Sequence, residues 1–150
     1  SPTVSSFVHD TVGSVAPGRV VCICPSDPRH VDHAALSALR SEIAAARDAR
    51  GRALEIIDLP LPPRIELDGA PLPASYANFL IVNGGVIAPT FDVPSDEGAL
   101  ELLRKCFPAR SVVGVPCRTL VRGFGGPHCL SQQQPRVPDT ATIAAPVTKA

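Results

Sequence analysis

Seventeen prolines and eleven glycines interrupt this 150-residue chain so often that no regular element can run far before a break. Proline removes a backbone donor and fixes φ, so most of these residues must stand between elements, and the apolar runs between them read as short strands and helices. Residues 19–24 (RVVCIC) follow the turn Ala16-Pro17-Gly18, are β-branched and apolar, and stop at Pro25, which predicts a buried strand. Residues 31–49 are rich in Ala and carry Leu36, Leu39 and Ile43 at helical spacing, with Gly51 at a C′ position, which predicts a helix with one apolar face. Residues 53–59 (ALEIIDL) return as a strand, and Pro60, Pro62 and Pro63 make residues 60–73 a loop.

The second half repeats this order. Residues 77–82 and 86–88 flank Asn83-Gly84-Gly85, where Asn-Gly favours the positive φ values of a tight hairpin turn. Ser95 is the expected N-cap of a second helix, with Asp96 and Glu97 at its positive end, Leu100, Leu103 and Phe107 as its apolar stripe, and Pro108 as its stop. Residues 111–115 (SVVGV) predict a further strand, and residues 119–121 one more after Pro116. Strand, helix and strand thus recur at a period of roughly sixty residues, the mark of a stacked α/β repeat. Residues 135–150 hold Pro, Ala, Thr and Val without periodicity and are expected to be a disordered tail.

One domain of this length buries roughly 70% of its unfolded surface. Fourteen basic residues balance fourteen acidic ones, so there is no basic field to gather nucleic acid. No apolar run reaches the length of a membrane span, and the N-terminus does not read as a targeting segment. Five cysteines are too few for a disulfide scaffold and odd in number, which points to a reducing, cytoplasmic setting. The chain has no Met, even at position 1, and is expected to be a piece of a longer product.

The most unusual window is Gly123-Phe124-Gly125-Gly126-Pro127-His128-Cys129, followed by Leu130-Ser131-Gln132-Gln133-Gln134. Its glycines let backbone approach a ligand closely, and a Cys just past such a loop is where a nucleophile can be presented, although a Cys is also a small buried hydrophobe in many cores. Adjacent residues of an extended chain point to opposite faces, so His128 is not placed to serve Cys129 as a base. Cys22, Cys24, His30 and His33 form Cys-x-Cys followed by His-x-x-His, a spacing that could hold zinc. A buried strand for the thiols and a solvated helix start for the imidazoles account for them without metal. Cys106 and Cys117 read as structural.

Four motifs carry a resemblance: residues 72–79 (LPASYANF), 83–89 (NGGVIAP), 107–114 (FPARSVVG) and 125–133 (GGPHCLSQQ). In order and spacing they resemble the agmatine deiminase and bacterial-type peptidyl-arginine deiminase family, and the likeness runs from about residue 16 to residue 135. It implies an α/β fragment, about two αββαβ blades, of the five-bladed pentein propeller. Residues 1–134 would be the C-terminal part of a deiminase domain whose full members are well over twice this length. It also implies that Cys129 is the nucleophile attacking the central carbon of a guanidinium, with agmatine as substrate and N-carbamoylputrescine as product. Peptidyl-arginine is the alternative substrate. Neither metal nor organic cofactor is implied.

The family has a Gly-His-x-Asp-Asn-like motif before the first strand, where this chain reads Ser6-Phe7-Val8-His9-Asp10-Thr11. Ungapped, Phe7 falls on the His position and His9 on the Asp position; with a one-residue deletion Asp10 takes the carboxylate role. The resemblance thus leaves His9 as the candidate proton relay and Asp10 as a candidate substrate carboxylate, with Gly125 and Gly126 as further substrate contacts. Phe124 stands where the family has Gly, and Gly126 where it has Asn. Two blades alone leave sheet faces and edges uncovered, so a homo-oligomer or pairing with the N-terminal half is expected, or else a non-catalytic remnant that associates with a complete homologue.

Overall fold

The computed structural model describes residues 12–25 and 27–134. The candidate residues His9 and Asp10 and the expected tail, 135–150, lie outside the described residues.

The chain forms two units of the same plan. In the first, β1 (Val12–Ala16) turns at Pro17-Gly18 into antiparallel β2 (Arg19–Ile23), α1 (His33–Ala45) crosses over, and β3 (Glu55–Leu59) returns parallel to β2. In the second, β6 (Leu80–Val82) pairs antiparallel with β7 (Gly85–Thr90), α2 (Ser95–Cys106) crosses over, and β8 (Ser111–Pro116) lies parallel to β7. A two-residue turn suffices between antiparallel neighbours, whereas a parallel neighbour demands a crossover, and the helices supply it. The sheet of each unit has three strands in sequential order. The recurring strand, helix and strand of the sequence are β2-α1-β3 and β7-α2-β8, each preceded by one antiparallel strand. For the first unit that strand, β1, had no pattern of its own: Gly13 and Ser14 are small, and its pairing with β2 creates it.

The residues between the units are not all loop. Glu66–Leu67 and Ala70–Pro71 form a short antiparallel ladder, β4 and β5, closed by Asp68-Gly69 with both φ values positive (52° and 78°). Asp-Gly is a strong signal for such a turn, and the neighbouring prolines masked it. At the turn between β6 and β7 only Gly84 takes a positive φ, 78°.

Helix α1 is shorter at both ends than expected. At its C-terminus the Arg47 guanidinium caps the carbonyls of Ala45 and Ala46 (3.0 and 2.8 Å), and Asp48 Oδ1 accepts the amides of Arg50 and Arg52 (both 2.9 Å). Those local bonds compete with further helical turns, so Gly51 closes the Asp48 turn and not the helix. In α2, Ser95 is the first helical residue and not the cap. No side chain caps the helix; the Asp96 carboxylate instead reaches back to the segment before it, accepting the amides of Phe91 (3.0 Å) and Val93 (3.1 Å) and the Tyr76 hydroxyl (2.7 Å). Residues 119–121 do not extend the sheet; Leu120–Gly123 is a 3-10 turn after Pro116 has ended β8.

One continuous apolar cluster joins the units. Val21, Ile23, Leu36 and Leu59 from the first pack with Tyr76, Phe79, Val86, Leu100, Leu103 and Phe107 of the second. Phe79 and Phe107 meet edge to face, 5.6 Å between centroids. Gly13 of β1 lies under Phe79, where a Cβ would stand 2.9 Å from the ring. The backbone of the first unit thus touches the second where a side chain would hold them apart.

Candidate active site

The 3-10 turn ends at Phe124, an exposed aromatic residue with φ of 62°. A left-handed backbone strains any residue with a Cβ, which gives a physical reason for the Gly that the resembled family has at this position. From here the chain enters Gly125 and Gly126, both buried, and folds back through a turn at residues 127–130 that leaves His128 and Cys129 exposed. The turn is closed by Leu130 N–H to Gly126 O (3.2 Å) and by the Ser131 hydroxyl to His128 O (2.8 Å).

The sulfur of Cys129 meets a residue from the other end of the unit. Asn78, only 3% exposed, directs its Nδ2 toward Cys129 Sγ at 2.9 Å. Its Oδ1 accepts the backbone amides of His128 (2.9 Å) and Cys129 (3.3 Å), and its main-chain carbonyl lies 3.4 Å from the same His128 amide. Asn78 sits in the tight passage between β5 and β6, where Asn78 N–H bonds to Ser75 O (3.3 Å) and Ser75 Oγ accepts the Ala77 amide (3.1 Å). Both glycines are required by this packing. A Cβ on Gly125 would stand 2.7 Å from Cys129 Cβ, and one on Gly126 would stand 2.8 Å from Asn78 Oδ1.

Beside the loop opens a cleft of about 260 Å3, walled by Gly13 and Ser14 of β1, by Phe79 and Leu80, and by His128 and Gln133. The adjacent His128 and Cys129 therefore have different surroundings: one lines the cleft and the other is tied to Asn78. Of the sequence candidates, Cys129, Gly125 and Gly126 are thus in contact with one another or with one partner. Asn78 was legible only as a member of a motif. The signal that could have singled it out is an amide-bearing residue inside an otherwise apolar stretch, because a buried amide must find partners.

The other thiols are differently placed. Burial pushes the thiol of Cys22 up to about 11, helped by the nearby Cys24 and Asp58, and burial likewise raises Cys106 and Cys117. Such thiols stay protonated at neutral pH and are weak nucleophiles. Cys22 and Cys24 do not converge with the histidines: His33 Nδ1 faces Pro25 O at 3.2 Å, and His30 Nδ1 accepts the Asp32 amide at 3.2 Å. Among the described residues no three His, Cys, Asp or Glu side chains are grouped to hold a metal ion, and no helix is long and apolar enough to cross a membrane.

The same architecture recurs in proteins of known name. The chain is 40% identical over 144 residues to the agmatine deiminase of Pseudomonas syringae pv. tomato, covering 81% of this chain and 38% of that protein. It is 40% identical over 139 residues to the agmatine deiminase of Stutzerimonas stutzeri, again covering 38% of the relative. The solved agmatine deiminase of Enterococcus faecalis superposes with a TM-score of 0.78 at 32% identity, over 86% of this chain and 40% of that one. The chain therefore spans about two fifths of the length of these relatives, and its α/β fold is part of the pentein architecture expected above. Residues 4–135 match the Porphyromonas-type peptidyl-arginine deiminase family, and with the two repeated units in place the chain belongs to it.

Proposed function

We propose that this chain supplies the nucleophile of a guanidino-group deiminase that converts agmatine and water to N-carbamoylputrescine and ammonia. The observation that carries the reading is the exposed Cys129 thiol, held by Asn78 on a glycine-cleared loop beside an open cleft. Its sulfur attacks the guanidinium carbon, the C–N bond to one terminal nitrogen breaks, and ammonia leaves with a proton. The resulting thiouronium is attacked by water, the C–S bond breaks, and the ureido product departs as the thiolate is restored. His9 is the proposed proton relay and Asp10 a proposed carboxylate for the planar cation. The backbones of Gly125 and Gly126 are proposed contacts for the bound substrate. The remaining wall of the site is proposed to come from a chain that supplies the rest of the deiminase, in a cytoplasmic setting where five free thiols persist.

The family's own description favours a second substrate, a peptidyl arginine. The two share the guanidinium and differ at the opposite end of the aliphatic chain, so one assay separates them. This chain is combined with the complementary portion of a longer relative, and ureido product and ammonia are measured from agmatine and from an arginyl peptide. Equal yields of the two products from agmatine are expected, with Cys129→Ser lowering turnover by at least about a thousandfold. Turnover that survives Cys129→Ser overturns the assignment of the nucleophile. Association without turnover in any pairing would mark the chain as a non-catalytic remnant.

A further inference from the structure

The amide of Asn78 can be oriented from chemistry alone. A backbone N–H can only be accepted by the oxygen of a carboxamide, and two backbone amides, of His128 and Cys129, point at the same side-chain atom. That atom is therefore Oδ1, and the other end of the group must present N–H to Cys129 Sγ, 2.9 Å away. One planar side chain thus holds the two consecutive peptide N–H groups of His128 and Cys129 and offers a donor to the Cys129 sulfur. It reaches this place because residue 126 has no side chain; a Cβ there would overlap Oδ1 at 2.8 Å and Cγ at 2.9 Å.

We infer that Asn78 is the positioning residue of Cys129, fixing the loop through Oδ1 and favouring the thiolate through Nδ2. An N–H aimed at sulfur interacts more strongly with the anion than with the neutral thiol, because hydrogen bonds to charged groups are the stronger ones. The catalytic meaning of this role rests on Cys129 being the nucleophile; the role itself does not require turnover. It divides into two separable parts. The oxygen decides where the sulfur is, and the nitrogen decides how readily it carries charge.

The two parts are tested on the 150-residue chain with one variant that keeps the oxygen and one that removes both atoms. Asn78→Asp retains an acceptor for the two amides and puts an anionic oxygen where the donor stood. Alkylation of Cys129 by iodoacetamide, followed by mass spectrometry of its peptide, is expected to slow about tenfold at neutral pH, with the rate profile displaced toward higher pH. His128, the titratable neighbour in the chain, is unchanged in this comparison, so the displacement reports on residue 78. In Asn78→Ala, hydrogen exchange at the His128 and Cys129 amides is expected to accelerate. A folded Asn78→Asp protein alkylated at the original rate would overturn the electrostatic part. Should a variant fail to fold, the unaltered chain decides: slow exchange at the His128 and Cys129 amides supports the oxygen's role, and exchange as fast as in a free loop overturns it. These readouts need no substrate, so their failure leaves the Cys129→Ser turnover test standing, and the converse holds.

Discussion

At the scale of single residues, the loop around Cys129 is governed by what is absent from its neighbours. Gly126→Ala would drive a methyl group into the carboxamide of Asn78, where neither backbone nor the hydrogen-bonded side chain can yield freely. A loss of about 1–3 kcal/mol in urea denaturation is expected, together with faster alkylation-independent exchange at the Cys129 amide. Phe124 sits at 62° in φ with its ring exposed, so Phe124→Gly is expected to raise stability or leave it unchanged, by up to about 1 kcal/mol, as read from the same denaturation curves. The nucleophile candidate was legible because a glycine-rich window followed by Cys is rare and matches a family motif. Its partner was not, since a contact across fifty-one positions leaves no trace in spacing. His9 and Asp10 rest on the resemblance alone.

Among the elements, hydrophobic spacing predicts both helices and five of the strands, β2, β3, β6, β7 and β8, but the ends of the helices are decided by polar groups that spacing does not reveal. Asp96 is the clearest case: spacing marks it only as an acidic residue of the first turn and Ser95 as the cap, whereas the structure has no side-chain cap and uses the Asp96 carboxylate to hold the preceding loop. Burial pushes the Asp96 carboxyl up, but hydrogen bonds from Tyr76 and from the backbone of Val93, Phe91 and Asp92 outweigh it and hold the group below its usual value of 3.8. A carboxyl lowered in the folded state contributes its stability in full above the unfolded value and loses it as pH falls through the folded one. Weakening these hydrogen bonds, Asp96→Asn is therefore expected to cost about 1 kcal/mol at neutral pH. The gap between the thermal midpoints of the two proteins should start to close as pH falls past 3.8 and vanish once the folded carboxyl is protonated. A gap independent of pH down to that range would mean that the ionised carboxylate does not hold the entry to the helix. The short ladder at Asp68-Gly69 and the 3-10 turn at Leu120–Gly123 escaped for the opposite reason. Both are too short to show a period, and only turn chemistry could identify them.

For the molecule as a whole, the repeat was visible in the order of apolar runs, and the core cluster shows how the two units merge. The outer surface is less complete. Val113 and Val115 alternate outward along β8, 54% and 36% exposed, and Ile81 of β6 is 40% exposed. β8 lies at an edge of its sheet, so apolar side chains and unpaired backbone groups stand side by side there. Sedimentation of the chain is expected to show concentration-dependent association that Val113→Thr with Val115→Thr weakens about tenfold. A monomer at all concentrations would count against a second copy of this chain as the cover of this strand. Inside, the two units are joined by a contact in which the ring of Phe79 rests on the bare Cα of Gly13. Phe79 follows Asn78 directly, so the seam between halves and the cradle of the sulfur share a single stretch of main chain. Any change that wedges the halves apart, even one in the distant first strand, would be felt as a loosened grip on the thiol, and the chain would lose the placement of its proposed nucleophile before it lost its shape.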